Sequence, residues 1–372
     1  MKYPRPAYKD ASIKTEKIST AFGAATAEVP VFDTPISPVE NFKRAAARND
    51  PLWAPNSTTD FQTLMAQDVV YLDDRGVQIH TNFRDKRNST EDYIFIDWFG
   101  ASWTWVKSAN GAMLTPGTQV VDDITKWEKI IKWPTLSEWD FKARADDFMK
   151  NEYDPKKVMH YNIGRGCTER FISLMGGYTE GMLALAEEPE AVTSWMERYV
   201  DFEIGLFDTI NSLYPLDMLT YHDDWGTERD TFFSGSMMEE IVFAPSKRFI
   251  DHVKSKGVVF ELHSCGNITR FLPYMTQLGA DFIQVQRRAV NIPEMKKQFG
   301  DKIGFCAGIE GLEMGRQASN DELTMLIRNT VEIYGKGGGF YTSLFAREPE
   351  QLWFMLAELY AYSREYYDNA RA

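Results

Sequence analysis

The chain has 372 residues, 44% of them hydrophobic and 14% aromatic, and a formal net charge of −13. That is enough apolar material for one large domain or two medium ones, and an acidic balance that does not attract a phosphate backbone, so nucleic acid is excluded as a partner. Three cysteines, an odd number spread over the chain, form no disulfide framework, and no apolar run approaches the roughly 18 residues that span a bilayer. The opening MKYPRPAYKDASIKTEK lacks the basic-then-apolar order of a signal peptide, so a cytoplasmic protein with no membrane partner is expected.

In chain order, residues 1–36 scatter Pro and Ala without period and are expected to be an irregular extension that covers the surface or an interface between two copies. SPVENFKRAAARNDP reads as a helix started by Ser37-Pro38, because serine caps and proline fits the first turn. PLWAPN is a weak strand, DYIFIDWFGASW a stronger one that runs into a hairpin ending at ANGAMLTPG, and VMHYNIGRG a third, followed by the helical TEGMLALAEEPEAV.

From about residue 185 the alternation becomes regular. Helical stretches precede LDMLTYHDDW, VVFELHSCG, DFIQVQ, KIGFCAGIE and GFYTSLF, and PEQLWFMLAELYAYSREYY closes the chain as a helix. Five strand–helix units in series predict a parallel sheet, and this many suit a (β/α)8 TIM barrel over residues 37–372 with a hairpin insertion. GKGGGF precedes a strand instead of opening a helix, so it is a helix-terminal turn and not a phosphate loop.

Barrel chemistry sits at the C-terminal strand ends, which makes the residues there the candidates. His263 and Cys265, two apart on one strand, point to the same side, and Cys306 ends a strand two positions further round. Two thiolates and an imidazole suit zinc with one position left open; the alternative is a pair of small buried cysteines. His222 and Asp224 in HDDWG are candidate acid–base residues, with Tyr221 and Trp225 as walls of a pocket; the alternative is that the aspartates are helix caps. Asp97 and Trp98, in an aromatic-rich hairpin, and Arg165, at the end of VMHYNIGRG, are candidate substrate contacts; the alternatives are a hydrophobic hairpin core and an arginine that ties loops together.

HDDWGTE, ELHSCGNITRFLPYMTQLGADFIQVQ and MKKQFGDKIGFCAGIE, in this order and spacing, resemble the uroporphyrinogen decarboxylase superfamily, with SPVENFKRAAARNDPLW and PEAVTSWMERYVDF in keeping. The resemblance implies a single (β/α)8 barrel. It also separates two activities. Decarboxylases of the family carry an Arg-rich loop for the porphyrinogen carboxylates where this chain has PLWAPNSTTDFQTL, whereas His263-Ser264-Cys265 is similar to the His-x-Cys zinc motif of the methyltransferases that feed corrinoid proteins. Those enzymes usually complete the site with a Cys near the last strand, where this chain has YTSLF, so Cys306 is the expected substitute. The branch that the resemblance implies is the O-demethylase components, which move a methyl group from an aryl methyl ether to a corrinoid (cobalamin) carried by a separate protein. A porphyrinogen-type decarboxylase and a non-catalytic tetrapyrrole- or corrinoid-binding protein are the alternatives.

Overall fold

A computed structural model describes residues 2–19, 26–65, 69–70, 91–109 and 111–371. Its centre is a seven-stranded parallel sheet. In chain order the strands of the molecule are β1 (Thr15–Ser19), β2 (Thr26–Pro30), β3 (Phe61–Met65), β4 (Tyr93–Ile96), β5 (Ser102–Val106), β6 (Gly111–Leu114), β7 (Val158–Ile163), β8 (Met218–His222), β9 (Val259–Ser264), β10 (Phe282–Val285), β11 (Gly304–Ala307) and β12 (Phe340–Thr342). The central sheet runs β12-β11-β10-β9-β8-β7-β3. Helices alternate with strands from β7 onward, which places them on the outside of a curled, TIM-barrel-like α/β sheet.

The sheet curls until its ends meet. Ser57 N donates to Thr342 O at 2.8 Å and Thr342 N to Pro55 O at 3.0 Å, so the chain around Asn56 lies parallel beside β12. The weak strand expected at PLWAPN is this bridging segment. The regular strand of the region, β3, comes just after it in FQTLM, which the sequence pattern did not mark because its outward and inward residues are both mixed.

Alternation within the strands fills the interior in layers. Phe61, Val158, Met218, Phe282 and Tyr341 form the lower layer with Cys306, and Phe42 closes it from below. Phe42 reaches that position because Ser37 caps the helix Pro38–Ala46, its Oγ accepting from Glu40 N at 3.3 Å, and the helix turns its apolar face to the barrel. Its ring lies 5.0 Å from Phe61 and 5.9 Å from both Phe282 and Tyr341. Such a packed floor makes the barrel a core with one working end.

Two expectations are corrected. The N-terminal extension is not irregular throughout: β1 and β2 pair as an antiparallel hairpin, and β2 lies against the C-terminal helix Pro349–Arg371. Alternation in TAEVP, with Ala27 and Val29 buried, supplies the apolar face that a period-free reading overlooked. DYIFIDWFGASW is not a barrel strand either. It forms β4 and β5, which with β6 make a separate antiparallel sheet in the order β4-β5-β6.

That insertion is held by one carboxylate. Asp97, buried, accepts from Phe99 N at 2.9 Å, Ala101 N at 3.0 Å and Trp103 Nε1 at 2.8 Å, and pairs with the fully buried guanidinium of Arg170. Trp98 beside it packs on Trp139 and Phe202 at 4.9 and 5.9 Å. Neither residue faces a ligand site, because the tight turn Asp97–Gly100 folds both inward. No helix among the described residues is long and apolar enough to cross a membrane.

Removing one partner of a buried ion pair strands the other charge, at about 3–5 kcal/mol. Asp97→Ala should lower unfolding stability by about that much in urea, and more than Asp97→Asn, which keeps acceptor oxygen for the turn.

Candidate functional site

At the C-terminal rim, the loops after β8 and β9 are pressed together. Asp223 N donates to His263 O at 2.9 Å, Trp225 N to Ser264 Oγ at 2.9 Å, and Asn267 N to Thr227 O at 2.6 Å. Gly266 makes this approach possible: its φ is +80°, and a Cβ there would collide with the backbone of Gly226.

This contact decides the fate of HDDW. Alternation sends Asp223 and Asp224 to opposite sides, so the two aspartates of the motif have different surroundings. Asp223 is the cap. Its oxygens accept from Thr168 N at 3.2 Å and Glu169 N at 3.0 Å, which seats the helix Cys167–Leu174, and from Trp225 Nε1 at 3.0 Å. Asp224 turns to the rim and accepts from Cys265 N at 2.7 Å.

Asp224, His263 and Cys265 form a cluster whose ligand atoms all lie within 4.8 Å of one another. His263 Nε2 is 3.4 Å from Cys265 Sγ and 3.7 Å from Asp224 Oδ1. Its other nitrogen, Nδ1, donates to Gln284 Oε1 at 2.7 Å, which fixes the proton there and leaves the Nε2 lone pair for the cluster. Gln286 Nε2 donates to Cys265 Sγ at 3.1 Å. Burial first, and then the charge of Asp224, push the Cys265 thiol upward. One imidazole, one sulfur and one carboxylate at this spacing fit zinc, whose ligands sit about 2.0–2.3 Å from the ion.

Cys306 is outside the cluster. In the sheet register His263 stands beside Gln284 and Gln284 beside Cys306, so one full strand separates the two expected ligands. The Cys306 thiol is not among the ligand atoms that lie within 4.8 Å of one another. The Gln284 amide fills the gap, its Nε2 3.4 Å from Cys306 Sγ. Burial raises the Cys306 thiol, with Glu261 adding to the effect. Asp224, expected as an acid–base residue, takes the place that the cysteine was expected to hold.

His222 lies beside the cluster, its ring 4.2 Å from that of His263, and its buried Nε2 has no hydrogen-bond partner among the described residues. Burial, reinforced by His263, holds it well below the usual imidazole range, so it is neutral at physiological pH. Tyr221 and Trp225 do not wall the cleft at the rim; they line a small internal void of about 10 Å3 beside Cys167, Phe249 and Phe260. Tyr221 points outward to Phe249 and Phe260, and Trp225 is fully buried against Phe271 with its indole N–H on Asp223. Both follow from parity, one residue away from those that face the rim.

Arg165 does reach an open site. A cleft of about 390 Å3 lies between the insertion sheet and the start of the helical layer, lined by Trp103, Met113, Leu114, Arg165, Glu169 and Tyr178 among others. The Arg165 guanidinium sits over the Trp103 ring at 5.1 Å and pairs with Glu169. Glu169 was not singled out in the sequence, although its spacing four residues after Arg165 matches a helical ion pair. It is buried, and desolvation outweighs the opposing effect of Arg165, pushing its carboxyl up to about 8. Gly166 N, next to Arg165, donates to His222 O at 2.5 Å, which places cleft and cluster at one end of the barrel.

Below the rim a polar network replaces apolar packing. His160 Nδ1 meets Thr63 Oγ1 at 3.0 Å and its Nε2 meets Thr220 Oγ1 at 2.8 Å. Thr220 Oγ1 and Tyr341 OH donate to Glu261 at 2.9 and 2.6 Å. Desolvation pushes Glu261 up to about 7 from a usual 4.5. The native state then binds this proton more tightly than the unfolded chain does, so the stability it contributes is present below about pH 4.5 and is lost as pH rises through 7.

Two outcomes are expected. The unfolding free energy of Glu261→Gln, relative to the parent, should move in the variant's favour by up to about 3 kcal/mol between pH 4 and pH 8, read from denaturant melts. Gln284→Ala, which frees the His263 ring, should weaken zinc binding by about 10–100-fold in a chelator competition without unfolding the protein.

Comparison with known proteins agrees with this architecture. Residues 170–339 match the model of the family described as uroporphyrinogen decarboxylase (URO-D). A solved methyltransferase from Methanosarcina mazei is similar in fold, with a TM-score of 0.58 and 12% sequence identity over 91% of this chain and 100% of that one. No curated protein matches the sequence.

Proposed function

We propose that this chain, with its URO-D family domain over residues 170–339, is a methyltransferase that takes a methyl group from a methylated small molecule, an aryl methyl ether, and passes it to a corrinoid carried by a partner protein. The observation that carries this reading is the Asp224–His263–Cys265 cluster at the rim of a barrel whose interior is otherwise packed. The fold of the Methanosarcina mazei methyltransferase supports it.

In such a transfer the bond between methyl carbon and oxygen breaks, the oxygen keeps the electron pair, and its negative charge must be met by a cation or a proton. Zinc held by Asp224, His263 and Cys265 would supply a Lewis acid for that oxygen. The protein's own part is to hold the ligand set ready. Gln284 fixes the His263 tautomer, Gln286 directs the Cys265 sulfur, and the backbone N–H of Cys265 aims the Asp224 carboxylate. His222, whose buried Nε2 has no hydrogen-bond partner among the described residues, would serve as a further ligand nitrogen or hydrogen-bond partner. Arg165 and Glu169 bound the cleft in which the donor lies.

A decarboxylase acting on a porphyrinogen would need cations to hold several carboxylates. Among the described residues lining the cleft the one cationic side chain is Arg165, and it is already paired with Glu169.

The purified protein should contain one zinc per chain by elemental analysis. Cys265→Ala and Asp224→Ala should lose it and lose methyl transfer from methoxyarenes to reduced corrinoid by at least 100-fold, while Cys306→Ala keeps the metal. Metal-free protein with full transfer activity would overturn the assignment, as would retention of activity in Cys265→Ala.

A further inference from the structure

At the end of the barrel opposite the cluster, where β11 and β12 begin, two cationic side chains converge. Arg48 follows the helix Pro38–Ala46, and Lys296 lies on the helix Ile292–Phe299, which leads through Gly300 towards β11. Arg48 Nε donates to Gly300 O at 3.4 Å, and Lys296 Nζ donates to Gly338 O at 2.9 Å. A Cβ at Gly339 would lie 3.1 Å from Arg48 Nε, and one at Gly300 would lie 2.8 Å from Lys296 Cδ. Both side chains therefore rest against the same two turns.

The backbone is bent to unusual conformations to make this meeting. Arg48 has φ +54° at a helix end where glycine is the usual residue, and Gly338 and Gly339, which face it, have φ +69° and +63°. A Cβ at Gly338 would lie 2.9 Å from Arg48 Cα, so the approach requires glycine there. An arginine held in a left-handed conformation points to a use for its guanidinium.

No acid neutralises the pair. The chain has 54 acidic residues, yet among the described residues no carboxylate is hydrogen-bonded to either side chain. Asp281 and Asp301 act on Arg48 only from a distance, and the Asp281 carboxylate is committed to Lys254 Nζ and Phe260 N at 2.8 and 2.9 Å. Burial, and then the charge of Arg48, push Lys296 down to about 8 from its usual 10.5. Capping two carbonyls takes neutral donors or a single cation; two half-buried like charges in that role oppose each other.

We propose that Arg48 and Lys296 form an anion site at the floor end of the barrel, and that its ligand is a phosphate group. Two positive charges call for a dianion, and both side chains are only half-buried, so the ligand reaches them from solvent. Arg48 Nη2 is enclosed against Gly339, which leaves Nη1 as the guanidinium nitrogen for the ligand, with Lys296 Nζ as the second donor. The site lies at the other end of the strands from Asp224, His263 and Cys265 and does not depend on methyl transfer.

Calorimetric titration of the full chain with sodium phosphate, at neutral pH and with ionic strength held by sodium chloride, tests this. The parent should bind one phosphate per chain with a dissociation constant below about 1 mM. Arg48→Gly relieves the backbone, so the variant should be as resistant to urea as the parent, yet it should bind phosphate at least about tenfold more weakly. Lys296→Met, which keeps the apolar stem, should weaken binding by a similar factor. Phenyl phosphate as a second probe separates the sources: binding equal to that of inorganic phosphate supports the site as one for a phosphate monoester, and its exclusion supports it as one for free phosphate. Absence of phosphate binding by the parent, or undiminished binding in folded Arg48→Gly and Lys296→Met, would overturn the proposal. Loss of stability in Arg48→Gly with no effect of phosphate on the parent would likewise overturn it and assign the pair to carbonyl capping alone.

Discussion

The rim of this barrel depends on the contact between two loop backbones, those following β8 and β9. Gly226 and Gly266 meet without side chains between them, and Asn267 N and Asp223 N bond across the gap. Because the loops are joined in this way, Asp224 is brought to Cys265 although 41 residues separate them in sequence. Asp223, on the opposite side of the same backbone, anchors the helix that bears Glu169. A single peptide register thus sets both the cluster and one wall of the cleft. Adding even one methyl group at Gly266 would strain φ and separate the loops together.

Under that contact the barrel is organised by polarity. Its floor is aromatic, closed by Phe42, whereas the layer above contains His160, Thr220, Glu261 and Gln284. Buried polar groups are tolerated when each finds a partner, and here the partners form a chain that reaches His263 through Gln284. The His263 tautomer is therefore set from inside the barrel. Rigidity below the rim is what allows a small donor set to hold its spacing.

The insertion sheet plays the complementary part. Asp97 and Arg170 fasten it to the body, so that one face of β5 and β6 can wall the cleft with Trp103 and Leu114. Residues that looked like ligand contacts by their chemistry are in fact those that build the wall. Asp97 and Trp98 are consumed in its attachment, and Tyr221 and Trp225 in packing the helical layer.

Much of the fold was written in local pattern. The helix begun by Ser37, the five strand–helix units from β8 to β12, and the same-side placement of His263 and Cys265 follow from capping chemistry and from periods of 3.6 and 2, which act over a few residues and survive in any tertiary context. What sequence could not fix was distance across the barrel. Cys306 faces the interior as expected, yet register puts Gln284 between it and His263. Asp224 and Asp223 are adjacent and chemically identical, and only the strand's parity, set by pairing with β9, sends one to the cluster and the other to a helix cap. The sequence by itself determined the kinds of element and the stock of ligating side chains, because both depend on local geometry. Only the tertiary structure decided which of those side chains meet, because that depends on strand register and on the one close approach that glycine allows.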